Sequence, residues 1–229
     1  MIDGLTHLIL RAVIILPGLI LGVVLHEVAH GYVAYRFGDP TAKNMGRLTL
    51  NPIPHLDLFG SVILPLLLLL SGSRILFGMA KPVPINPYFF RDFRRGLRYV
   101  GLAGPLANIL VALIVGNVLG LAINILANFS NLGLAGQIMN ILYQVTIAAV
   151  SINIFLAIFN LIPIPPLDGS RIVASFLSYR DMERYFSVER YGILIIFGLF
   201  FFFSPIFWAI VSPFFNLLFT ASTLWRFLL

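Results

Sequence analysis

Residues 8–37 read LILRAVIILPGLILGVVLHEVAHGYVAYRF, and this stretch decides the fold. An apolar run of roughly 20 residues is long enough to cross the hydrocarbon core of a bilayer as a helix. The apolar first half continues directly into a charged motif instead of ending at a small-residue cleavage site, so it does not resemble a secretory signal peptide. The stretch therefore predicts a membrane helix of the mature protein with ionisable residues in its second half.

Within this helix, His26 and His30 stand four positions apart. That spacing places both imidazoles on one helix face, where both can bind a single zinc ion. Glu27 follows His26 by about 100° of helical rotation, so it can lie beside the metal as a general base without being a ligand. Three ionisable residues within five positions are costly inside a membrane unless they are functional. The alternative is a polar seam that forms hydrogen bonds with neighbouring helices.

The composition also indicates a membrane protein. Of 229 residues, 59% are hydrophobic and 10% are charged, with a mean hydropathy of +0.98, which exceeds what a soluble core could bury. The chain has no cysteine, which excludes disulfides, thiolate metal ligands and a cysteine nucleophile. The net charge of +6 comes from basic residues between apolar segments, which favours cytoplasmic loops over nucleic-acid binding.

The apolar segments predict an all-α polytopic membrane protein, a bundle of about five to six transmembrane or re-entrant helices that forms one domain over residues 1–229. Besides residues 8–37, the predicted spans are 99–127, 135–159 and 190–211. Residues 59–72 are apolar but short and contain Pro65, so we expect a re-entrant segment. The stretch from Pro213 is expected to be an interfacial or partly inserted helix.

Lysine and arginine collect in cytoplasmic loops, and this rule gives the orientation. Basic residues flank segment 59–72 on both sides and recur at 178–190, whereas 128–134 has none. We therefore expect a protein of the cell membrane with its N-terminus outside and with loops 38–98 and 178–190 in the cytoplasm.

Two loop segments carry patterns of extended structure. Residues 43–50 alternate partly around Gly46 and end at Asn51 and Pro52, which predicts a short β hairpin or edge strand. Residues 79–87 contain three prolines in six positions, which predicts an extended segment.

A catalytic zinc usually has three protein ligands, so a third ligand must come from elsewhere in the chain. Asp168, Asp57 and His55 are the candidates. Asp168 lies where three prolines break a long apolar helix, and such breaks occur at membrane depth where the backbone lines a cavity. Alternatively, Asp168 caps the next helix, and the His55–Asp57 pair forms a solvated turn after Pro54.

The HEVAH motif at residues 26–30, followed far downstream by NLIPIPPLDG at residues 160–169, resembles the site-2 protease family of intramembrane zinc metalloproteases. The resemblance covers nearly the whole chain. It implies one Zn²⁺ per chain, bound by His26, His30 and Asp168. Larger members carry PDZ or CBS domains, and this sequence resembles the short form without them.

The resemblance also implies residues that contact the substrate. Asn108, in the GPLAN match at 104–108, would donate to the substrate carbonyl or oxyanion, although an interhelical hydrogen bond is the alternative. Asn160 would position the substrate or, alternatively, cap its helix. Residues Arg47, Leu48 and Thr49 would form the edge to which a substrate strand adds, or else an ordinary surface hairpin.

The function predicted from the sequence is intramembrane zinc-dependent hydrolysis of peptide bonds in or near transmembrane helices, with Glu27 as the catalytic base. The partners are a transmembrane protein substrate and the lipid bilayer; no nucleic acid is expected, and the oligomeric state stays open. The alternatives are a transporter or metal-binding carrier that uses the same His and Asp residues, and an inactive relative that binds helices.

Overall fold

The computed structural model describes residues 2–57, 81–129, 133–202 and 204–224. The predicted re-entrant segment 59–72 lies outside them. Within the described residues, the polytopic all-α prediction is confirmed, since four helical stretches are long and apolar enough to cross a membrane. These are Ile9–Arg36, Phe93–Leu126, Leu134–Asn160 and Pro205–Ser222.

Nine α-helices are found in the described residues. In chain order they are α1 (Ile2–Arg36), α2 (Thr41–Asn44), α3 (Phe93–Ile114), α4 (Gly120–Phe129), α5 (Leu134–Asn160), α6 (Asp168–Ala174), α7 (Tyr179–Phe186), α8 (Gly192–Phe202) and α9 (Ser204–Ser222). A π-helical turn, Val115–Leu119, joins α3 to α4, and short 3₁₀ turns lie at Ile53–His55, Pro87–Phe89 and Ser187–Tyr191. The helices α1, α3 and α5 form the centre of the bundle.

Small residues bring α1 and α5 close together. A Cβ atom on Gly18 would lie 2.5 Å from the Cα atom of Ala149, so only glycine fits there. One turn later, Gly22 lies against Asn153, whose buried side-chain amide donates to the carbonyl of Gly18 at 3.1 Å and to that of Ala149 at 2.8 Å. Because Gly22 is one turn before His26, this contact fixes the depth of the first histidine in the bundle.

A buried carboxylate organises the chain after α1. Asp39 is fully buried and accepts hydrogen bonds from the backbone N–H of Thr41 at 2.9 Å and of Asn86 at 2.6 Å, and from the Thr41 hydroxyl. The preceding Gly38 has φ +112°, a conformation that glycine adopts readily. Asp39 therefore ties α2 and the extended segment 81–86 to the end of α1.

We expect Asp39→Ala to destabilise the protein by about 2–3 kcal/mol, because it leaves buried donors without an acceptor. For a chain of this size that corresponds to a fall of roughly 5–10 °C in the unfolding midpoint. The midpoint can be measured in detergent by fluorescence. Asp92→Ala is the control, since Asp92 also caps a backbone N–H but is 48% exposed, and its midpoint should change less. Equal midpoints for the two variants would contradict the proposed role of Asp39.

The β hairpin predicted at residues 43–50 is wrong. Lys43 and Asn44 end helix α2, Met45 and Gly46 form a turn with Gly46 at φ +65°, and residues 47–50 have no strand assignment. The backbone N–H of Met45 bonds to Thr41, and that of Arg47 bonds to the carbonyl of Ala42. Local helical bonds thus use two of the donors that a strand ladder over 43–50 would need. By contrast, residues 81–86 are extended, as the prolines predict.

The span predicted at 190–211 falls on the end of the 3₁₀ turn Ser187–Tyr191, on α8 and on the first part of α9, with residue 203 outside the described residues. Of the stretch from Pro213, expected to be interfacial or partly inserted, residues 213–222 are the second half of α9, which is long and apolar enough to span a membrane, and residues 225–229 lie outside the described part of the chain.

Candidate metal centre

Two helices bring three potential metal ligands together. His26 and His30 project from α1, and Asp168 is the first residue of α6. The Nε2 atoms of the two histidines are 3.0 Å apart, and Asp168 Oδ2 lies 3.1 Å from His26 Nε2 and 3.0 Å from His30 Nε2. All three side chains are buried. The structure thus places next to one another the three residues that the sequence motifs indicated.

The proline-rich turn between α5 and α6 carries Asp168 to this position. The Tyr185 hydroxyl donates to the carbonyl of Pro163 at 2.6 Å, and burial raises the pKa of Tyr185, so it stays a donor at neutral pH. On the other side, a Cβ atom on Gly192 would lie 2.1 Å from the carbonyl oxygen of Pro165. The alternative role of Asp168 as a helix cap is wrong, because the cap position is Leu167 and the cap makes no side-chain hydrogen bond.

Hydrogen bonds on the outer ring nitrogens fix the protonation of both histidines. His26 Nδ1 lies 2.9 Å from Asn108 Oδ1, and His30 Nδ1 lies 2.7 Å from the backbone carbonyl of Val100. A carbonyl oxygen can only accept, so in neutral imidazoles the protons are on Nδ1. In that tautomer the two Nε2 lone pairs and the Asp168 carboxylate face one another, and this set of acceptors can bind a metal cation.

Zinc fits this arrangement. Zinc binds histidine nitrogen and carboxylate oxygen at about 2.0–2.2 Å, which in a tetrahedral site separates two ligand atoms by roughly 3.3 Å. The three observed separations, at 3.0–3.1 Å, are close to this value. Three ligands also leave the fourth position that a catalytic zinc keeps open.

A glycine of α3 makes room for the centre. A Cβ atom on Gly104 would lie 2.4 Å from His30 Nε2 and 2.5 Å from His26 Nε2. Any side chain at residue 104 would therefore occupy the place of the ligand atoms. Two residues of the site had no role in the sequence reasoning. They are Gly104 and Arg171, and Nη1 of Arg171 lies 3.6 Å from Asp168 Oδ1.

Glu27 lies next to the centre but outside the converging triad. Its side chain is half-buried, and its Oε2 accepts a hydrogen bond from the backbone N–H of Val83 at 2.8 Å. Val83 belongs to the extended segment 81–86, so this segment runs past Glu27 on α1. The carboxylate, on the residue next to His26, is thus held by a backbone donor and is not one of the three converging groups. Its role as a general base stays a prediction.

The other predicted site residues have partners outside the converging triad. Asn160 donates to the carbonyl of Leu156, one turn back in its own helix, at 2.9 Å. Arg47 is buried and donates to backbone carbonyls, Leu48 lies against Gly31, and the carbonyl of Thr49 is 2.9 Å from His55 Nε2.

Neither of the other two candidates for the third ligand belongs to the triad. His55 is only 1% exposed, so the solvated turn predicted for it is wrong, and its ring contacts Thr49. Asp57 is half-buried. Among the described residues, only His26, His30 and Asp168 form a group of histidines and carboxylates close enough to bind one ion.

Comparison with known proteins agrees with this centre. The family model described as Peptidase family M50 matches residues 14–204. The chain is 38% identical to the putative zinc metalloprotease YwhC of Bacillus subtilis, over 80% of this chain and 77% of that protein. It is 27% identical to the putative zinc metalloprotease Rip2 of Mycobacterium tuberculosis H37Rv, over 86% of this chain and 72% of that protein. It is 28% identical to the zinc metalloprotease MJ0392 of Methanocaldococcus jannaschii, over 70% of this chain and 33% of that protein.

No solved structure matches the chain. The family model nevertheless covers most of its length, and the Bacillus relative is well above 30% identical over four fifths of it. The chain therefore belongs to peptidase family M50, the site-2 protease type, and is a membrane-embedded zinc metallopeptidase.

Proposed function

We propose that this protein cuts peptide bonds in or near the transmembrane helices of membrane protein substrates, with Glu27 as the proton-transferring group. One observation carries the proposal: the Nε2 atoms of two histidines and a carboxylate oxygen converge within 3.1 Å of one another between apolar helices, and the residue after the first histidine is a glutamate. The family does not support the alternative of a transporter or metal carrier.

In this proposal His26, His30 and Asp168 bind one Zn²⁺ per chain. When bound, zinc supplies Lewis-acid chemistry, which polarises a carbonyl and makes a water molecule acidic near neutral pH. Glu27 accepts the proton of the attacking water and later gives it to the amine that leaves. The hydrogen bond from Val83 keeps the carboxylate in place between these two transfers.

Asn108 is proposed to act on the substrate as well as on His26. Its Oδ1 accepts from His26, as the interhelical alternative expects, while its Nδ2 is buried and finds no hydrogen-bond partner among the described residues. An orphaned buried donor is costly. A substrate carbonyl that develops negative charge during hydrolysis would provide the missing acceptor.

The substrate backbone also needs partners, because a transmembrane helix must unwind before it can be cut. We propose that it extends along residues Arg47, Leu48 and Thr49, close to α1, where Leu48 contacts Gly31 directly after His30. Asn160, at the end of α5 before the proline turn, is proposed to contact the substrate on the other side of Asp168.

The proposed location is the cell membrane, with the N-terminus outside, loops 38–98 and 178–190 in the cytoplasm, and residues 1–229 as one protease domain. The exposed Arg91, Arg94 and Arg95, at the start of the span that begins at Phe93, support this orientation.

The test uses purified protein in detergent with a transmembrane peptide as substrate. Cleavage should stop when a chelator removes the metal and should return when zinc is added back. A transporter would show no cleavage under either condition. Cleavage that persists in protein shown to be free of metal would reject the proposal.

Asp168→Ala tests the ligand set directly. We expect its zinc content to fall from one ion per chain to near zero after dialysis, because two histidines alone leave a zinc site incomplete. Elemental analysis of the purified variant measures this content. Asp181→Ala is the control, since Asp181 is an exposed acid in the first turn of α7, and it should keep its zinc. Equal zinc content and affinity in both variants would remove Asp168 from the site.

A further inference from the structure

Arg47 is a buried cation with an unusual set of partners. Its side chain is 7% exposed, and its guanidinium donates to the backbone carbonyls of Pro54, of Lys81 at 2.8 Å and of Pro82 at 3.2 Å. Its Nε finds no partner in the described part of the chain. Burying a charge costs free energy, and hydrogen bonds to three neutral carbonyls offset only part of that cost.

The peptide group between Pro82 and Val83 connects Arg47 to Glu27. The carbonyl of this group accepts from Arg47, and its N–H donates to Glu27 Oε2 at 2.8 Å. A cation, one peptide group and the carboxylate of Glu27 therefore form a continuous chain of hydrogen bonds. Hydrogen bonds in such a chain polarise and strengthen one another, and the effect is larger when the outer members are charged.

The surrounding residues prevent this peptide group from turning away. Pro84 restricts the preceding Val83 to extended backbone. The Val83 side chain is buried and contacts Gly31, and the Lys81 N–H donates to the carbonyl of His55 at 2.9 Å. The segment thus offers Glu27 a single, fixed donor.

We infer that Arg47 is a positioning residue for Glu27, which it orients through the Pro82–Val83 peptide group. This inference rests on the proposed role of Glu27 as proton acceptor. It gives the Arg47 side chain a task different from substrate binding. A loss of Arg47 should therefore lower kcat and leave KM for the substrate peptide unchanged.

The first experiment is Arg47→Ala in the full-length protein. We expect kcat to fall about 10–100-fold, as for other residues that orient a catalytic group from behind, with zinc content and KM unchanged. Guanidinium ion, added far below denaturing concentration, should restore part of kcat by binding in the space that the side chain left. Arg47→Lys should retain more activity than Arg47→Ala because it still carries a cationic donor.

The second experiment removes the Val83 N–H, which donates the hydrogen bond to Glu27. Val83→Pro deletes the N–H but suits the extended backbone, whereas the control Val83→Ala shortens the side chain and keeps the N–H. We expect Val83→Pro to lower kcat as Arg47→Ala does, without a response to guanidinium, and Val83→Ala to retain more activity than Val83→Pro because it keeps the N–H. The double variant Arg47→Ala/Val83→Pro should be no slower than the slower single variant, because both act through one peptide group.

Three results would overturn the inference: a rise in KM at constant kcat, which would place Arg47 in substrate binding; additive losses in the double variant; or no guanidinium rescue together with a Val83→Pro enzyme of wild-type kcat. If Val83→Pro does not fold, the guanidinium response and Arg47→Lys decide. Failure of the proposed function is seen separately, because the wild-type protein would then not cleave the peptide in a zinc-dependent manner.

Discussion

Glu27→Gln is expected to lower the rate of peptide hydrolysis by about 10²–10⁴-fold, the usual contribution of a general acid–base group. Glutamine keeps the shape of the side chain, and its amide oxygen can still accept the hydrogen bond from Val83. It cannot take a proton from water near neutral pH. The variant therefore removes the proton transfer and leaves the surrounding contacts in place.

Zinc content separates this effect from damage to the centre. Glu27 is not one of the three converging groups, so Glu27→Gln should bind one zinc ion per chain, as the wild type does. Cleavage of a transmembrane peptide and elemental zinc analysis on the same preparation give both values. Glu189→Gln, at an exposed glutamate in the turn before α8, is the control and should cleave normally. A Glu27→Gln enzyme with near wild-type activity would remove Glu27 from the mechanism.

The site residues that could be predicted from the sequence are those whose side chains form a recognisable pattern along the chain. His26 and His30 are four positions apart on one helix, so local geometry alone predicts that they face the same way. Asp168 lies 138 positions from His30, and local spacing cannot connect them. The proline break made Asp168 a candidate beside His55 and Asp57, and the family resemblance selected it.

The parts that were missed depend on backbone atoms or on empty space. The Val100 carbonyl and the Val83 N–H contact His30 and Glu27, but a backbone group has no sequence signature. From the sequence, Gly104 was only a motif position. Its importance is that it has no side chain, which leaves space for the two histidine ligand atoms.

The error in the fold has a related origin. Alternation over 43–50 was too short a pattern to exclude a helical turn, and long-range contacts of Asp39 and Arg47 hold the chain there. Long helices were predictable because their signal extends over some 20 residues.

Gly104→Ala is expected to abolish zinc binding and proteolysis together. The added methyl carbon would lie 2.4–2.5 Å from both histidine Nε2 atoms, closer than atoms in contact can approach. The imidazoles cannot simply rotate away, because His26 is hydrogen-bonded to Asn108 and His30 to the carbonyl of Val100. Both partners are on the same helix as residue 104. Either these bonds break or α3 moves away from α1, and both changes separate the three ligand atoms.

We expect zinc affinity to fall by at least about 10²-fold, more than after the loss of one outer hydrogen bond. Competition with a chelating dye measures the affinity, and the unfolding midpoint shows whether the bundle is intact. Gly136→Ala is the matched control, because a Cβ atom on this α5 glycine meets nothing within 4 Å and alanine favours a helix. If Gly104→Ala bound zinc as tightly as Gly136→Ala, the metal could not lie among these three ligands, since the new methyl group and the ligand atoms would need the same space.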